Sequence, residues 1–337
     1  MQLHNKIVSI ILVLSIVVIS AAPICSAAEV KGRCGSDCTY TLSDDGLLYI
    51  NGTGTITKKF NEDEQINKKV RRIIIEDGIQ RIGEKSFANL MYQKMDISLP
   101  DSLIEIGKDA FNFSWTSDIQ FPKNLKKIGD NAFEDNCLEH VVLPDSLEEL
   151  GIFAFAGGKY IKEVRLPAHM TTIPAVSFSG CLELKTIEWP QKLKKIDERA
   201  FENCNFENFR IPDSVESVGN SVLYNCSRLK TITVGKSVRE ISKNFAMSCF
   251  SLKKIVNLSK TEIPLDTLKG KRNWYVEKKK VTKLKSRKTA KAVFRKYKIK
   301  YALDGGKVAG KKPKTYRYRQ QTKLPKKAKK KGYTFIG

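Results

Sequence analysis

The stretch Leu138-Glu139-His140-Val141-Val142-Leu143-Pro144-Asp145-Ser146-Leu147-Glu148-Glu149-Leu150-Gly151-Ile152-Phe153-Ala154-Phe155 decides the fold, because its landmarks recur at a fixed interval along the chain. Its last residue belongs to the series Phe87, Phe111, Phe133, Phe155, Phe178 and Phe201, continued by Leu223 and Phe245, with spacings of 24, 22, 22, 23, 23, 22 and 22 residues. An aliphatic series runs four or five residues ahead of it: Ile82, Ile106, Ile128, Leu150, Ile173, Ile196, Val218 and Ile241. A third series pairs an apolar residue with proline at Leu99-Pro100, Phe121-Pro122, Leu143-Pro144, Leu166-Pro167, Trp189-Pro190 and Ile211-Pro212, with Val234-Gly235 as its variant. Self-similarity at a period of about 20–50 residues is the mark of a stacked repeat array.

Each unit opens with apolar residues two apart, such as Leu184, Ile187 and Trp189, or Leu229, Ile232 and Val234. That alternation puts one face of a short strand inward. The proline removes a ladder donor and stops the strand. A turn rich in Asp and Ser follows, then an Ile-Gly step where glycine permits a tight bend. The segment ending in Ala-Phe is too short for a long helix, and a 3₁₀ or irregular segment is expected there. A unit of this size cannot bury its own apolar face, so neighbours must stack strand beside strand in a parallel ladder.

The pattern Leu-x-x-Val-x-Leu-Pro-x-Ser-Leu-x-x-Ile-Gly-x-x-Ala-Phe-x-x-Cys resembles the BspA-like leucine-rich repeat, over roughly Val70 to Leu268. The expected fold class is therefore an α/β repeat: a leucine-rich-repeat solenoid with a parallel β ladder on its concave face, an N-terminal β cap and a basic C-terminal tail. Pro174, Leu223 and Val234-Gly235 depart from the pattern and mark loosened coils. The division is signal peptide 1–28, β cap 29–66, solenoid 67–268, basic solvated linker 269–296 and a truncated module 297–337. The cap reads as two strands around an Asp-Gly turn between Cys34 and Thr55. In the last segment, Tyr297 to Gly306 and Lys331 to Gly337 resemble the Listeria-Bacteroides (internalin B-type) repeat, a β-grasp module of surface proteins.

The net charge is +24, yet residues 269–337 hold 27 Lys or Arg against Glu277 and Asp304, so the remainder is close to neutral. Nucleic-acid binders usually carry their basic face on the folded domain, so no specific nucleic-acid partner is expected. The tail is read as a solvated arm or as a binder of anionic cell-wall polymer through counterion release. At the other end, Ile7 to Ala22 is uncharged and Ser26-Ala27-Ala28 suits signal peptidase, with an uncleaved anchor as the competing reading. A secreted or cell-surface location follows.

The mature chain has two histidines, His140 and His169, with neither cysteine nor carboxylate at ligand spacing, and no phosphate-cradling glycine motif. No catalytic residue, metal or cofactor is expected, and the chain is read as a non-enzyme. Cys137, Cys181, Cys204, Cys226 and Cys249 follow the phenylalanine position by three or four residues and read as a column of small buried hydrophobes. Cys34 and Cys38 lie outside the repeats, and a short disulfide loop and two free thiols are both open readings.

Solenoids bind through the outward strand positions of their sheet. Those are His140 and Val142, Glu163 and Arg165, Thr186 and Glu188, Asn208 and Arg210, Thr231 and Thr233. Their mixed polarity fits a wet interface for a protein or glycan ligand, and the family resemblance implies adhesion or protein binding at a cell surface. Sequencing the N-terminus of chain collected from medium or cell wall should start at or near Glu29. Recovery from cytoplasm with Met1 in place would overturn the export reading.

Overall fold

A computed structural model describes residues 29–91 and 94–265, and beyond them short stretches lying chiefly in strands between Arg272 and Lys329. The signal-peptide segment 1–28 lies outside the described residues. Between the two ends the chain winds as a solenoid, and each coil has three sides.

The first side is the parallel ladder expected from the alternation. Its strands are Leu47–Gly52, Arg72–Ile75, Met95–Ser98 and Thr116–Ile119, then His140–Val142, Glu163–Arg165 and Thr186–Glu188, then Asn208–Arg210, Thr231–Val234 and Lys254–Asn257. Central residues stack in register, Val141 on Val164 on Ile187, and Phe209 on Ile232 on Ile255. The ladder is divided into three panels, with breaks after Thr116–Ile119 and after Thr186–Glu188. At both breaks the residue before the proline is aromatic. Phe121 lies edge-on to Phe133 at 5.4 Å and to Phe155 at 6.1 Å, and Trp189 edge-on to Phe201 and Phe209 at 5.7 and 5.8 Å. Most other coils place Leu or Ile at this position.

The second side was read from sequence as a bend, and it is instead a second parallel ladder of very short strands. Glu105–Ile106, Lys127–Ile128 and Glu149–Leu150 continue from Gly54–Ile56 and Ile79–Ile82, and a further group runs through Thr172–Ile173, Lys195–Ile196, Ser217–Val218 and Glu240–Ile241. The residue after each aliphatic donates its N–H to the preceding coil, as Gly129 does to the Ile106 carbonyl and Gly151 to that of Ile128, both at 2.8 Å. Pro174 has no N–H to give at that position, and the ladder is interrupted there. The glycines serve close approach rather than left-handed backbone: a Cβ on Gly151 would sit 2.4 Å from the main-chain nitrogen of Asp130. Of the three expected loosened coils, only Pro174 opens a ladder. Leu223 is fully buried and its N–H reaches the Phe245 carbonyl at 2.7 Å, while Gly235 packs so tightly that a Cβ would meet the Pro212 carbonyl oxygen at 2.2 Å.

From the Phe87 coil onward the third side is irregular, as expected, with no helix among its described residues. It is a run of turns in which alternate residues bond to the next coil: Asp109 to Asp130, Phe111 to Ala132 and Phe113 to Glu134, at 2.8–2.9 Å. Left-handed residues stand two places before and two places after the phenylalanine, for example Asp109 and Phe113 around Phe111, and Asn131 and Asp135 around Phe133. Asp, Asn and Gly at many of these corners follow from that backbone.

Inside, the phenylalanines form one column, with centroids 5.1–5.8 Å apart and planes within 12° from Phe60 to Phe201. Phe60 lies in the segment read as N-terminal cap, 27 residues before Phe87 and therefore off the period. The parallel ladder likewise starts inside that segment, at Leu47–Gly52. Ahead of it, Val30–Arg33 and Cys38–Leu42 pair antiparallel and close the sheet, and Tyr40 meets Phe60 edge-on at 5.2 Å. Asp63 caps the one α-helix among the described residues, Glu64–Lys69, by accepting from Gln65 and Ile66.

The solvated linker expected over 269–296 is corrected. Thr289–Phe294 pairs antiparallel with the last ladder strand, Lys254–Asn257, and Arg272–Val276 and Lys279–Val281 extend the sheet. Trp274, Leu284 and Ala290 are buried while Lys283, Lys285, Lys288 and Lys291 are exposed, so the lysine density masked a strand alternation. In 297–337 two antiparallel pairs are described, Lys296–Lys298 with Thr315–Arg317 and Lys307–Ala309 with Lys327–Lys329, and much of the segment lies outside the described residues.

Phe133 has a stacked ring on each side, so Phe133→Ala should lower stability by about 3–5 kcal/mol in equilibrium unfolding. Val176 holds a left-handed corner at φ 59°, where a β-branched residue is strained, whereas Asn131 holds the equivalent corner two coils earlier. Val176→Asn should therefore stabilise by about 1 kcal/mol, and a loss of stability would show that the side chain's packing outweighs the backbone term.

Candidate functional site

The ten outward strand residues sit where alternation puts them. In each strand from His140–Val142 to Asn208–Arg210 both end residues are exposed, and the middle residue is buried or, at Ile187, half-buried. Thr231 and Thr233 are half-buried. Register pairs His140 with Glu163 and Thr186, Val142 with Arg165 and Glu188, Asn208 with Thr231, and Arg210 with Thr233. The first six share one panel, and the last four lie beyond the break on the next. Val142 is the apolar exception, 53% exposed.

The charges on this face are already engaged. Arg165 lies 3.3 Å from Asp145 and 3.8 Å from Glu188, and Arg210 lies 2.8 Å from Asp213. These pairs are largely exposed and each contributes at most about 1 kcal/mol, so a charged ligand can displace them at low cost. His169 is exposed in its turn, away from the strand face. Among the described residues no group of three or more His, Cys, Asp or Glu converges as metal ligands.

Three neighbouring surfaces were not read from the sequence. The N-terminal panel of the same ladder forms a groove of about 480 Å³ with Arg72, Ile74, Asp96, Ser98, Asp118 and Gln120 among its lining. The same alternation, followed back to the earlier repeats, would have found it. The short-strand ladder lines a groove of about 660 Å³ spanning Glu105 to Asp197. Here Arg81, Glu105, Lys127 and Glu149 alternate in sign across successive coils at 3.2, 3.9 and 3.2 Å. The hydrogen bond that Lys127 donates to Glu149, with the Glu149 and Glu105 charges behind it, raises the Lys127 pKa. Along the edge between turns and long strands, Met91, Phe113, Trp115, Tyr160 and Leu182 are exposed, and Trp115 and Tyr160 line a cleft of about 480 Å³. Met91, Trp115, Tyr160 and Leu182 stand at positions where no apolar residue recurs regularly from coil to coil, and Phe113 holds a corner that most other coils fill with Asn, Asp or Gly, so periodicity hides them.

The cysteine column has a definite task. Cys181, Cys204, Cys226 and Cys249 donate from Sγ to the carbonyls of Phe155, Phe178, Phe201 and Leu223 in the preceding coil, at 3.6, 3.2, 3.3 and 2.8 Å. Burial pushes the Cys204 thiol up to about 12. Cys137 is not a member, being half-buried. Asn136 takes its place, donating from Nδ2 to the Phe111 carbonyl at 2.9 Å. The single-residue offset between Asn136 and Cys137 was invisible to spacing alone.

The model of the BspA-type leucine-rich repeat region matches residues 59–174 and 153–273, in six copies. No curated protein matches the chain. Among solved structures, a leucine-rich repeat protein from Bacteroides ovatus is similar at 22% identity and TM-score 0.48, covering 65% of this chain and 69% of that one. A leucine-rich repeat protein from Eubacterium ventriosum is similar at 19% and 0.43, covering 68% and 78%. The pneumococcal vaccine antigen PcpA is similar at 17% and 0.32, covering 69% and 88%. The repeat match spans well over half the chain and coincides with the coils whose ladders and ring column are described above, so this chain belongs to the BspA-type leucine-rich-repeat family.

Proposed function

We propose that this chain is a non-enzymatic binding protein, exported to the cell exterior or surface, that recognises a protein or glycan through the outward side chains of its longer ladder. The observation that carries this reading is the repeated exposed-buried-exposed strand, which fixes each outward side chain to a rigid core while leaving it solvated. Rigid presentation reduces the ordering cost of binding, and a row of polar groups in register suits an extended partner. Membership of a family with surface proteins among its structural relatives supports the location, as the solved leucine-rich cell surface protein of Faecalibacterium prausnitzii illustrates for that protein.

A second reading rests on the +25 carried by residues 269–337, which favours an anionic cell-wall polymer bound through the tail. Two variants of the full chain separate the readings, assayed on an array of immobilised glycans and extracellular proteins. Arg165→Glu with Arg210→Glu should abolish specific binding and leave the melting temperature nearly unchanged, because both side chains are exposed. Truncation must begin after Phe294, since Trp274 and Ala290 are buried in the sheet that ends the solenoid. If that truncation removes binding while the double charge reversal does not, and added salt weakens binding by the intact chain, the tail is the binder. Retention of binding by both variants would remove support from both readings.

A further inference from the structure

We infer that Cys34 and Cys38 form an intrachain disulfide that locks the N-terminal hairpin onto the first coils. Their Sγ atoms are 3.2 Å apart and both residues are about 1% exposed. The loop between them is held from several sides. Cys34 N–H donates to the Cys38 carbonyl at 3.0 Å, and the Cys34 carbonyl accepts from Thr57 and Lys58 at 2.7 and 3.0 Å. Gly35 lies so close to the next strand that a Cβ would meet the Thr55 carbonyl oxygen at 2.1 Å, and one on Gly52 would meet that of Asp37 at 2.2 Å. The two sulfurs therefore face each other across a fixed, three-residue loop, and no backbone rearrangement is needed to bring them together.

The ladder cysteines are placed differently. Each donates to a main-chain carbonyl of the preceding coil, and among them the Cys226 and Cys249 thiols also hydrogen-bond each other. Cys38 has only a 3.6 Å contact to the Thr55 carbonyl, and its nearest polar neighbour is the Cys34 sulfur.

Formation requires a disulfide oxidant of the glutathione class. One cysteine thiolate attacks a sulfur of that disulfide and releases one thiol. The second cysteine then attacks the mixed disulfide and releases the other, so the chain loses two protons and two electrons and the oxidant is reduced to two thiols. Burial, reinforced by the Cys38 thiol beside it, holds the Cys34 thiol far above its ordinary range in the closed hairpin. Both cysteines are about 1% exposed in the closed hairpin, so closure shields the bond from reductant.

The proposal does not rest on what the ladders bind, and a refolding buffer supplies the oxidant whatever compartment the chain occupies. The full chain, reduced and unfolded, is refolded in a reduced and oxidised glutathione mixture, then alkylated under denaturing conditions and mapped by mass spectrometry. The peptide containing Cys34 and Cys38 should escape alkylation and be lighter than its reduced form by about two hydrogens, with the ladder cysteines alkylated. The oxidised chain should melt roughly 2–5 °C above the same chain held reduced, and the Cys34→Ala, Cys38→Ala double variant should show no redox-dependent shift. Free thiols at both positions after refolding, pairing of either with a ladder cysteine, or an oxidised form that melts below the reduced one would each overturn it.

Discussion

Successive coils lie within backbone hydrogen-bonding distance of each other on all three sides, and most other features of the molecule answer to that spacing. The two β ladders supply it on two faces, and the turn segments supply it on the third through bonds such as Phe111 to Ala132 and Phe133 to Ala154. Parallel strands set a rise of about 4.8 Å per coil, and a column of identical rings at that rise must stack face to face with an offset. Centroids at 5.1–5.8 Å fit that demand. Any side chain that intrudes between coils is felt at once. Glycine after the short strand avoids the intrusion, proline at 174 deletes a bond, and the longer ladder breaks at the coils whose exits carry Phe121 and Trp189.

A one-dimensional stack has two exposed ends, and both are closed by antiparallel strands. At the start, Cys38–Leu42 and Val30–Arg33 complete the sheet, and Tyr40 and Phe60 begin the ring column. At the far end, Thr289–Phe294 covers the edge of Lys254–Asn257, and Trp274 supplies buried volume beyond the last phenylalanine of the series, Phe245. Unpaired strand edges invite association with other chains, and lysine-bearing outer strands discourage it. The basic charge of the tail thus begins on residues that also finish the fold.

The same rigidity bears on recognition. The longer ladder is three stiff panels, each displaying side chains in register. The six candidate residues from His140 to Glu188 belong to one panel and the four from Asn208 to Thr233 to the next. Exposed ion pairs such as Arg165 with Asp145 and Glu188 hold the side chains in place at small energetic cost, so exchange for a ligand's charges is cheap.

The 22- and 23-residue recurrence of Phe133, Phe155 and Phe178 and the alternation in His140 to Val142 were enough to read the solenoid, its buried columns and the outward strand positions, because both signals are local and every coil repeats them. The tertiary structure alone decided what depends on the neighbouring coil. It revealed the second ladder, whose strands are too short to show a period, and the left-handed corners that place Asn or Asp around the phenylalanine. It set Asn136 rather than Cys137 in the column of carbonyl partners, and it brought Phe60 into the stack despite a 27-residue step. It also turned the lysine-rich stretch around Trp274 into a closing sheet. In each case the deciding contact joins residues 16 or more apart in sequence, and stacking geometry, which no single repeat encodes, determines which of them meet.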